Sequence, residues 1–238
     1  MTRDPKVQPS ILGLRGINLF AGLPDDVLET LLRRCGWRRF APDQLVIAKE
    51  ATDRDVYLIV GGKVRVRVLS PGGRLTAFRE VGAGEWIGDL AALDGLPRSA
   101  DIVAIEDSLI ATLPPDEFRA LMLKYPNVAE CVILRLVRLI RDLSDRVYDL
   151  STLGVQNRVH AEILRLARLA GISNNVARID PAPKHTDIAS QVSTYREQVT
   201  RELSALTKQG LIERDGSVLV VHDVKTLEKL VEDVRNSN

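Results

Sequence analysis

Residues 56–68 read VYLIVGGKVRVRV, and this stretch decides the fold class of the N-terminal half of the chain. Its second part alternates valine with lysine or arginine, a period of two that is typical of a half-buried β-strand. Its first part is a short apolar run, and Gly61-Gly62 between the two predicts a hairpin turn. Further turn signals at residues 70–73 and 81–84 separate more short strands. Many short antiparallel strands favour a jelly roll or barrel that encloses one small ligand.

Helical patterns flank this β-rich region. Acidic residues open a first helix at residues 25–32, and Pro114-Pro115 opens another. Asn127 is the predicted N-cap of a helix without a breaker before Gly154, about 40 Å long at 1.5 Å per residue. Its length favours pairing with a second copy, and packing on the chain's own barrel is the alternative. The apolar stripe of this helix contains Val132, Leu136, Leu139, Leu143, Val147 and Leu150.

The C-terminal third is predicted to contain three helices and a hairpin. A helix predicted over residues 155–170 ends at Gly171, and Thr186 is the predicted cap of a helix over 187–192. A turn at Ser193-Thr194 leads to a second helix over 195–209. Asp215-Gly216 then predicts a type I′ turn in a hairpin over 211–221. This order is typical of a winged helix-turn-helix, whose second helix enters the DNA major groove with its N-terminal end.

Side chains at that end of the second helix are the DNA-contact candidates. Arg196 and Arg201 can each bind a guanine, and Glu197 can accept a hydrogen bond from a cytosine amino group. Two alternatives stay open: Glu197 can close a capping box with Thr194, and Arg201 can contact phosphate without reading sequence. The full set of candidates is Thr194, Tyr195, Arg196, Glu197, Thr200 and Arg201.

Residues 88–99 read GDLAALDGLPRS and have the layout of a phosphate-binding loop. Gly88 lets backbone N–H groups approach an anion, and the short helix that follows directs its positive end there. Arg98 can clamp phosphate oxygens, and Ser99 can donate one more hydrogen bond. Asp89 would repel a phosphate, so we expect it to accept a hydrogen bond from a sugar hydroxyl. This predicts a nucleotide site, and a loop held by an Arg–Asp pair is the alternative.

Composition narrows the functional class. The 238 residues are 45% hydrophobic and 27% charged, which favours an ordinary globular protein of two domains. No apolar run is long enough to span a membrane and the N-terminus lacks a signal sequence, so we expect a cytoplasmic location. Cys35 and Cys131 are too few for an iron–sulfur cluster. The histidines (His160, His185 and His222) lie on different elements, so we expect no metal site and surface or hydrogen-bonded imidazoles. No catalytic motif is found, so an enzyme is not expected.

The loop at residues 88–99 resembles the phosphate-binding cassette of the Crp/Fnr family of bacterial transcription regulators, of the cyclic-AMP receptor type. The family pattern is Gly-Glu-Leu, about ten residues, then Arg-Ser or Arg-Thr, and Asp89 replaces the glutamate here. On the long helix, the resemblance puts Leu143 and Ser144 where purine-contacting hydroxyl residues usually lie. The ligand-binding residues that it implies are Gly88, Asp89, Leu90, Arg98, Ser99, Leu143 and Ser144. Arg196, Glu197 and Arg201 match the family's Arg-Glu-x-x-x-Arg pattern.

This resemblance implies an α+β protein with three parts. These are a β jelly-roll cyclic-nucleotide-binding domain (1–126), a dimerisation helix and hinge (127–153), and a winged helix-turn-helix DNA-binding domain (154–238). The expected function is regulation of transcription by a homodimer that binds a palindrome with TGTGA-like half-sites. Cyclic AMP is the expected allosteric effector, and RNA polymerase is an expected partner.

Two alternatives to this function are kept. One is the same fold with haem, another effector or no effector, and the other is a nucleotide-gated protein-interaction module. The charges of Asp89 and Arg98 speak against the first alternative, since a charge held in a barrel needs a partner.

Overall fold

A computed structural model describes residues 9–69 and 75–235 of the chain, without the side chains of residues 68, 69, 75–78, 234 and 235. The turn expected at residues 70–73 lies outside these ranges. The chain divides into two compact units, Met1–Leu139 and Ile140–Asn238. Each unit has its own hydrophobic core. No helix of the described residues is long and apolar enough to cross a membrane.

The N-terminal unit is a β-sandwich with helices before, within and after the strands. The helices before the strands are α1 (Ile11–Arg15), a 3₁₀ helix (Asn18–Phe20) and α2 (Asp25–Arg34). The first strands are β1 (Gly36–Phe40), β2 (Leu45–Ile47), β3 (Val56–Gly61), β4 (Lys63–Leu69), β5 (Leu75–Gly82) and β6 (Trp86–Ile87). After them come α3 (Asp89–Asp94), β7 (Asp101–Ala104), β8 (Ser108–Leu113), α4 (Pro115–Lys124) and α5 (Pro126–Thr152).

The strands form two four-stranded antiparallel sheets, in the orders β1-β8-β3-β6 and β2-β7-β4-β5. One core cluster contains Phe40, Ile59, Val64 and Ile110, which come from strands of both sheets. Another contains Trp37, Leu58 and Phe118 and joins β1 and β3 to the helices. This architecture confirms the predicted β jelly roll, because each sheet buries a face against the other.

Gly61-Gly62 does not form the predicted hairpin. β3 pairs with β8 and β6, whereas β4 pairs with β5 and β7, so the two strands belong to different sheets. Gly62 has φ +83°, and a Cβ there would lie 2.4 Å from the carbonyl oxygen of Asp107. The glycine is therefore needed for a tight crossover between sheets. The prediction was wrong because both edges of β3 are taken by other strands.

The long helix α5 begins at Pro126, two residues before the first helical position that an Asn127 cap implies, and the missing N–H of a proline there costs no helical hydrogen bond. Asn127 is therefore not the cap. Its Nδ2 instead donates a hydrogen bond to the carbonyl oxygen of Ala21, at 2.9 Å. The side chain thus joins the start of α5 to the N-terminal helices.

The apolar stripe predicted along α5 is divided between two environments. Val132 and Leu136 pack in the core of the N-terminal unit. A row that shares only Val147 with the predicted stripe is exposed at heptad spacing, with Ile133 56%, Ile140 62% and Val147 63% exposed. Val137, Ser144 and Ser151 follow these three residues by four positions and are also exposed. We call these six residues the α5 seam.

The C-terminal unit contains helices packed on one small sheet. Its elements after α5 are α6 (Val155–Ala170), β9 (Ile172–Ser173), β10 (Val176–Ile179), α7 (His185–Gln191), α8 (Arg196–Lys208), β11 (Ile212–Asp215), β12 (Val218–Val221) and α9 (Val224–Arg235). The sheet order is β11-β12-β10-β9. Helices α7 and α8 with the β11–β12 hairpin confirm the predicted winged helix-turn-helix.

Two local predictions in this unit were wrong in detail, and one alternative, the capping box, does not form. The first helix of the pair begins at His185 after Lys184 as N-cap, because the Lys184 carbonyl already accepts from Asp187 and Ile188. Tyr195 is the N-cap of α8, one residue later than a capping box with Thr194 requires. In the hairpin, Asp215 pairs with Val218, so the turn residues are Gly216 and Ser217, and the turn is not type I′ because only Gly216 has a positive φ, of 59°.

Candidate functional site

The loop before α3 is shaped by Gly88. This glycine is the N-cap of α3 with φ +85°, a left-handed conformation that favours glycine. A Cβ at this position would lie 2.5 Å from Nη1 of Arg98 and 2.9 Å from the carbonyl oxygen of Asp55. Gly88 therefore makes room for the Arg98 guanidinium against the backbone.

The Arg98 side chain is only 3% exposed and is held by three oxygen atoms. Its Nη1 donates to the carbonyl oxygen of Gly88 at 3.0 Å, and its Nη2 donates to the carbonyl oxygen of Asp55 at 2.7 Å. Nη2 also pairs with Oδ2 of Asp53 at 2.5 Å. Nε is buried with no hydrogen-bond partner among the described residues. The Nε–H donor is thus left for a further acceptor.

Asp53, Asp55, Tyr57 and Arg98 form one group, which we call the Arg98 cluster. The hydroxyl of Tyr57 donates to Oδ2 of Asp53 at 3.1 Å, and the Arg98 guanidinium lies 5.4 Å from the centre of the Tyr57 ring. Burial, and then the negative charge of Asp53, raise the pKa of Tyr57 to about 12. The same two causes raise the pKa of the Asp55 carboxyl. The buried guanidinium of this cluster therefore binds the carboxylate of Asp53 and the backbone carbonyl of Asp55.

Asp89 has a partner that the sequence did not indicate. Its carboxylate is 4% exposed and forms an ion pair with Arg135 of α5. Nη2 of Arg135 donates to the carbonyl oxygen of Trp86 at 2.7 Å, and its guanidinium lies 4.7 Å from the centre of the Trp86 ring. Burial lowers the pKa of Arg135, and the negative charge of Asp89 opposes that shift. In this structure Asp89 accepts from a guanidinium, where a sugar hydroxyl was expected.

The other candidate ligand residues are more exposed. Leu90 and Ser99 lie at the surface beside the buried Asp89 and Arg98, and Leu143 and Ser144 are exposed on α5 within the C-terminal unit. The structure thus brings Gly88 and Arg98 together and adds Asp53 and Arg135. Because Asp89 and Arg98 both have partners in the chain, their charges no longer speak against an effector other than a nucleotide.

Helix α8 presents a polar face at its N-terminal end and buries the opposite face. Tyr195, Arg196, Glu197, Thr200 and Arg201 are exposed, whereas Thr194 is buried. Oγ1 of Thr200 lies 2.8 Å from Nδ1 of His185, and Arg201 donates to the side chain of Gln198. The buried face contains Val199, Leu203 and Leu206. Five of the six predicted DNA contacts therefore lie on a surface that can face a groove.

Two arginines that the sequence analysis missed fix the turn before α8. Arg146 donates to the carbonyl oxygen of Gln191 at 2.5 Å, and Nε of Arg158 donates to that of Val192 at 3.0 Å. These carbonyls belong to the last turn of α7 and its C-cap, where helical partners are lacking. The turn continues through Ser193, whose φ is 54°. Both arginines therefore hold α7 and the start of α8 in one arrangement.

His160 departs from the prediction of a surface or hydrogen-bonded histidine. It is 4% exposed on α6, and neither ring nitrogen has a partner among the described residues. Burial lowers the pKa of this imidazole, and the negative charge of Glu202 opposes that effect. No group of three or more potential metal ligands occurs in residues 9–69 and 75–235.

Comparison with known proteins agrees with this arrangement. The cyclic nucleotide-binding domain family matches residues 37–125, and the Crp-like helix-turn-helix domain family matches residues 157–230. Over 217 residues the chain is 28% identical to the cyclic AMP receptor protein of Thermus thermophilus, covering 91% of this chain and 98% of that one.

Two solved structures are similar in fold at lower identity. A CooA mutant from Carboxydothermus hydrogenoformans has a TM-score of 0.76 at 19% identity, over 85% of this chain and 90% of that one. CLP of Xanthomonas campestris, a global regulator described as c-di-GMP responsive, has a TM-score of 0.71 at 17% identity, over 84% and 99%.

The two matched families assign different roles to the two halves of the chain. The first supplies a cyclic nucleotide-binding domain and the second a DNA-binding helix-turn-helix, which favours DNA over protein as the C-terminal partner. The relatives named cyclic AMP receptor or CRP are regulators of transcription and not enzymes. This chain belongs to the Crp/Fnr family of transcription regulators.

Proposed function

We propose that this protein is a homodimeric regulator whose binding to palindromic DNA is controlled by a cyclic nucleotide, with cyclic AMP as the first candidate. The observation that carries the proposal is the buried Arg98 guanidinium, whose Nε has no partner among the described residues. Because a buried donor without an acceptor costs free energy, the site favours a ligand that brings an anionic oxygen. A cyclic nucleotide carries such oxygens on its single phosphate.

The remaining ligand contacts follow from the family resemblance. Gly88, Leu90 and Ser99 surround the phosphate in this scheme, and Leu143 and Ser144 contact the base. In this scheme Asp89 contacts the ribose while it stays paired with Arg135. The ion pair uses Oδ2 of the carboxylate, so Oδ1 can accept a hydrogen bond from a ribose hydroxyl. The name of the Thermus thermophilus relative supports cyclic AMP over other nucleotides.

The α5 seam supports pairing of two copies. Ile133, Ile140 and Val147 recur every seven residues, and Val137, Ser144 and Ser151 follow each by four, which is the spacing of a coiled-coil contact. In this scheme residues 127–153 form the dimerisation element between a nucleotide-binding domain (1–126) and a DNA-binding domain (154–238). The two serines at alternate positions make part of the contact polar.

Pairing through α5 gives the dimer two α8 helices. Two such helices read half-sites when they lie about 34–36 Å apart, one turn of DNA. Arg196, Glu197 and Arg201 are the side chains proposed to read a TGTGA-like half-site, with Tyr195 and Thr200 beside them and Thr194 in the preceding turn. Ligand binding shifts the dimer toward the arrangement that matches the palindrome. RNA polymerase is the proposed partner at the promoter.

The test combines calorimetry with DNA binding. The full-length protein is titrated with cyclic AMP, cyclic GMP and c-di-GMP, and its affinity for a TGTGA palindrome is measured by fluorescence anisotropy with and without each ligand. We expect cyclic AMP to bind and to raise DNA affinity at least about tenfold, an ordinary allosteric coupling. Sedimentation should give a dimer. Absence of heat and of any change in DNA affinity would overturn the effector assignment.

The Arg98→Leu variant tests which side chain receives the anion. It should lose the response to cyclic AMP while retaining dimerisation, because α5 is unchanged. Ser99→Ala, next to it, should weaken binding less than Arg98→Leu, since it removes one hydrogen bond to the phosphate but no charge. A normal response of Arg98→Leu would show that the phosphate binds elsewhere.

A second candidate keeps the fold and the DNA site but has a different effector or none. The pairs Arg98–Asp53 and Asp89–Arg135 favour it, because both charges of the loop are already compensated within the chain. The c-di-GMP responsiveness stated for CLP illustrates that one fold serves several effectors. Tight DNA binding that no cyclic nucleotide changes would support this candidate.

A further inference from the structure

Asp53 lies where a ligand's anion would compete for Arg98, and its loop is tied to that arginine. The backbone N–H of Arg98 donates to the carbonyl of Ala51, and the N–H of Glu50 donates to the carbonyl of Arg98, both at 2.9 Å. The loop between β2 and β3 thus runs beside Arg98 and delivers the Asp53 carboxylate to Nη2. Because the two backbone segments are fixed to each other, the carboxylate is present at a high effective concentration.

The two partners of this ion pair differ in their freedom to move. The Arg98 side chain is 3% exposed and is held by two backbone carbonyls, whereas the Asp53 side chain is 43% exposed. Apart from Arg98, the Asp53 carboxylate accepts a hydrogen bond from Tyr57. The aspartate can therefore turn toward water while the guanidinium stays in place.

A carboxylate and a cyclic phosphate are both anions that bind guanidinium in the same way. Nη2 holds Asp53 and the neighbouring Nε has no partner among the described residues, so a phosphate that takes both nitrogens must displace the carboxylate. If both anions stayed, they would repel each other at close range. We propose that Asp53 is a built-in competitor for the phosphate subsite, which sets the concentration of effector at which the regulator responds.

This inference rests on the proposed nucleotide function. It predicts that the affinity for the nucleotide rises when the charge of Asp53 is removed. When only a fraction of the protein is in the state that can bind the ligand, the apparent dissociation constant rises in inverse proportion to that fraction. An ion pair that is closed about nine-tenths of the time therefore weakens nucleotide binding about tenfold. Removal of the Asp53 charge should tighten binding by this factor.

The test compares wild type with Asp53→Asn and Asp43→Asn by calorimetric titration of the full-length protein with cyclic AMP. Asparagine keeps an acceptor for Tyr57 and Arg98 but removes the charge. Asp43 is exposed on the turn before β2, and its φ of 65° is one that asparagine tolerates, so it controls for net charge. We expect Asp53→Asn to bind at least about tenfold more tightly, and Asp43→Asn to bind like wild type.

A second measurement uses sulfate, an anion that needs no nucleotide site. Thermal unfolding is followed for the three proteins at rising sodium sulfate concentration, with sodium chloride at equal ionic strength as the reference. Asp53→Asn should gain more stability from sulfate than the other two, because Arg98 then lacks its internal anion. This measurement tests the competitor even if the protein binds no cyclic nucleotide.

The outcomes separate the two claims. Tighter nucleotide binding by Asp53→Asn, or a selective sulfate effect without nucleotide binding, supports the competitor. Equal nucleotide affinity of wild type and Asp53→Asn overturns the competitor and leaves the proposed function intact. If none of the three proteins binds a cyclic nucleotide, the proposed effector is wrong. If the three proteins then also gain equal stability from sulfate, the role of Asp53 as a competitor is overturned as well.

Discussion

The candidate ligand site of the N-terminal unit and the candidate DNA site of the C-terminal unit use arginine in opposite ways. In the N-terminal unit, Arg98 is buried and Arg135 is largely buried, and each is bound to a carboxylate of the same chain. In the C-terminal unit, Arg196 and Arg201 are exposed at the start of α8. A buried guanidinium is fixed in place and contributes to the fold through its partner, whereas an exposed one can move to reach a base or phosphate. Substitutions in the two units should therefore change different quantities.

The largest effect is expected at the Asp89–Arg135 pair, whose side chains are only 6% and 12% exposed. Asp89→Leu or Arg135→Met alone should each lower the free energy of unfolding by about 3–5 kcal/mol, because each leaves one buried charge without a partner. The double variant should lose much less than the sum of the two. Urea unfolding followed by tryptophan fluorescence measures this, since Arg135 lies over the ring of Trp86.

The exposed pair Arg15–Asp25 supplies the matched control for this cycle. Both of its side chains face solvent, so water replaces the lost partner and we expect the same kind of substitution to change stability very little. Additive losses at Asp89 and Arg135 would contradict the comparison, because they would mean that the buried pair is not coupled.

The ion-pair partners of Arg98 and Arg135 are the part of the candidate site that could not be predicted from the sequence. Arg98 stood out because glycine, acid and arginine recur at a spacing that suits a phosphate. Asp53 lies 45 residues from Arg98, and Asp89 lies 46 residues from Arg135. Such pairs are made by the folding of the jelly roll, and no local pattern of the sequence indicates them.

The same distinction between local and distant contacts applies to the fold. Helix α6 was predicted over residues 155–170, between Gly154 and Gly171, and the structure has it over Val155–Ala170. The link at Gly61-Gly62 was predicted wrongly. A glycine pair suits a hairpin or a crossover between sheets equally well, and which one forms depends on the distant strands that pair with β3 and β4. Strands β9 and β10 were missed, although Asn174-Asn175, both with positive φ, is a hairpin signal of the usual kind.

The exposed arginines should show the opposite behaviour to the buried pair. Arg196→Ala is expected to weaken binding to the TGTGA palindrome by about 1–3 kcal/mol, the value of one bidentate contact to a base, and to leave thermal stability unchanged. Lys208→Ala is the control, since Lys208 is exposed at the last residue of the same helix. Fluorescence anisotropy with the palindrome and with a scrambled duplex separates the two contributions. Equal losses on both duplexes would assign Arg196 to phosphate instead of a base.

The smallest effect concerns a buried group without a charge partner of its own, His160. Because burial lowers its pKa below the ordinary 6.5, the unfolded chain binds more protons than the folded one as the pH falls below 6.5. The free energy of unfolding should therefore decrease as the pH falls from 6.5 toward the lowered folded-state pKa, and the full stabilising contribution of the neutral imidazole should return above 6.5.

His160→Gln removes the titrating group while keeping a polar side chain of similar length. Its unfolding free energy should vary less between pH 7.5 and pH 5 than that of wild type, when both are measured by urea unfolding at constant ionic strength. His222→Gln is the control, because His222 is exposed beside Glu213 at the surface of the C-terminal unit. If His160→Gln kept the pH dependence of wild type, protons would have to be taken up elsewhere. The expected difference between the buried His160 and the exposed His222 would then be wrong. The prediction for the Asp89–Arg135 pair would be unaffected, because it concerns stability and not proton uptake.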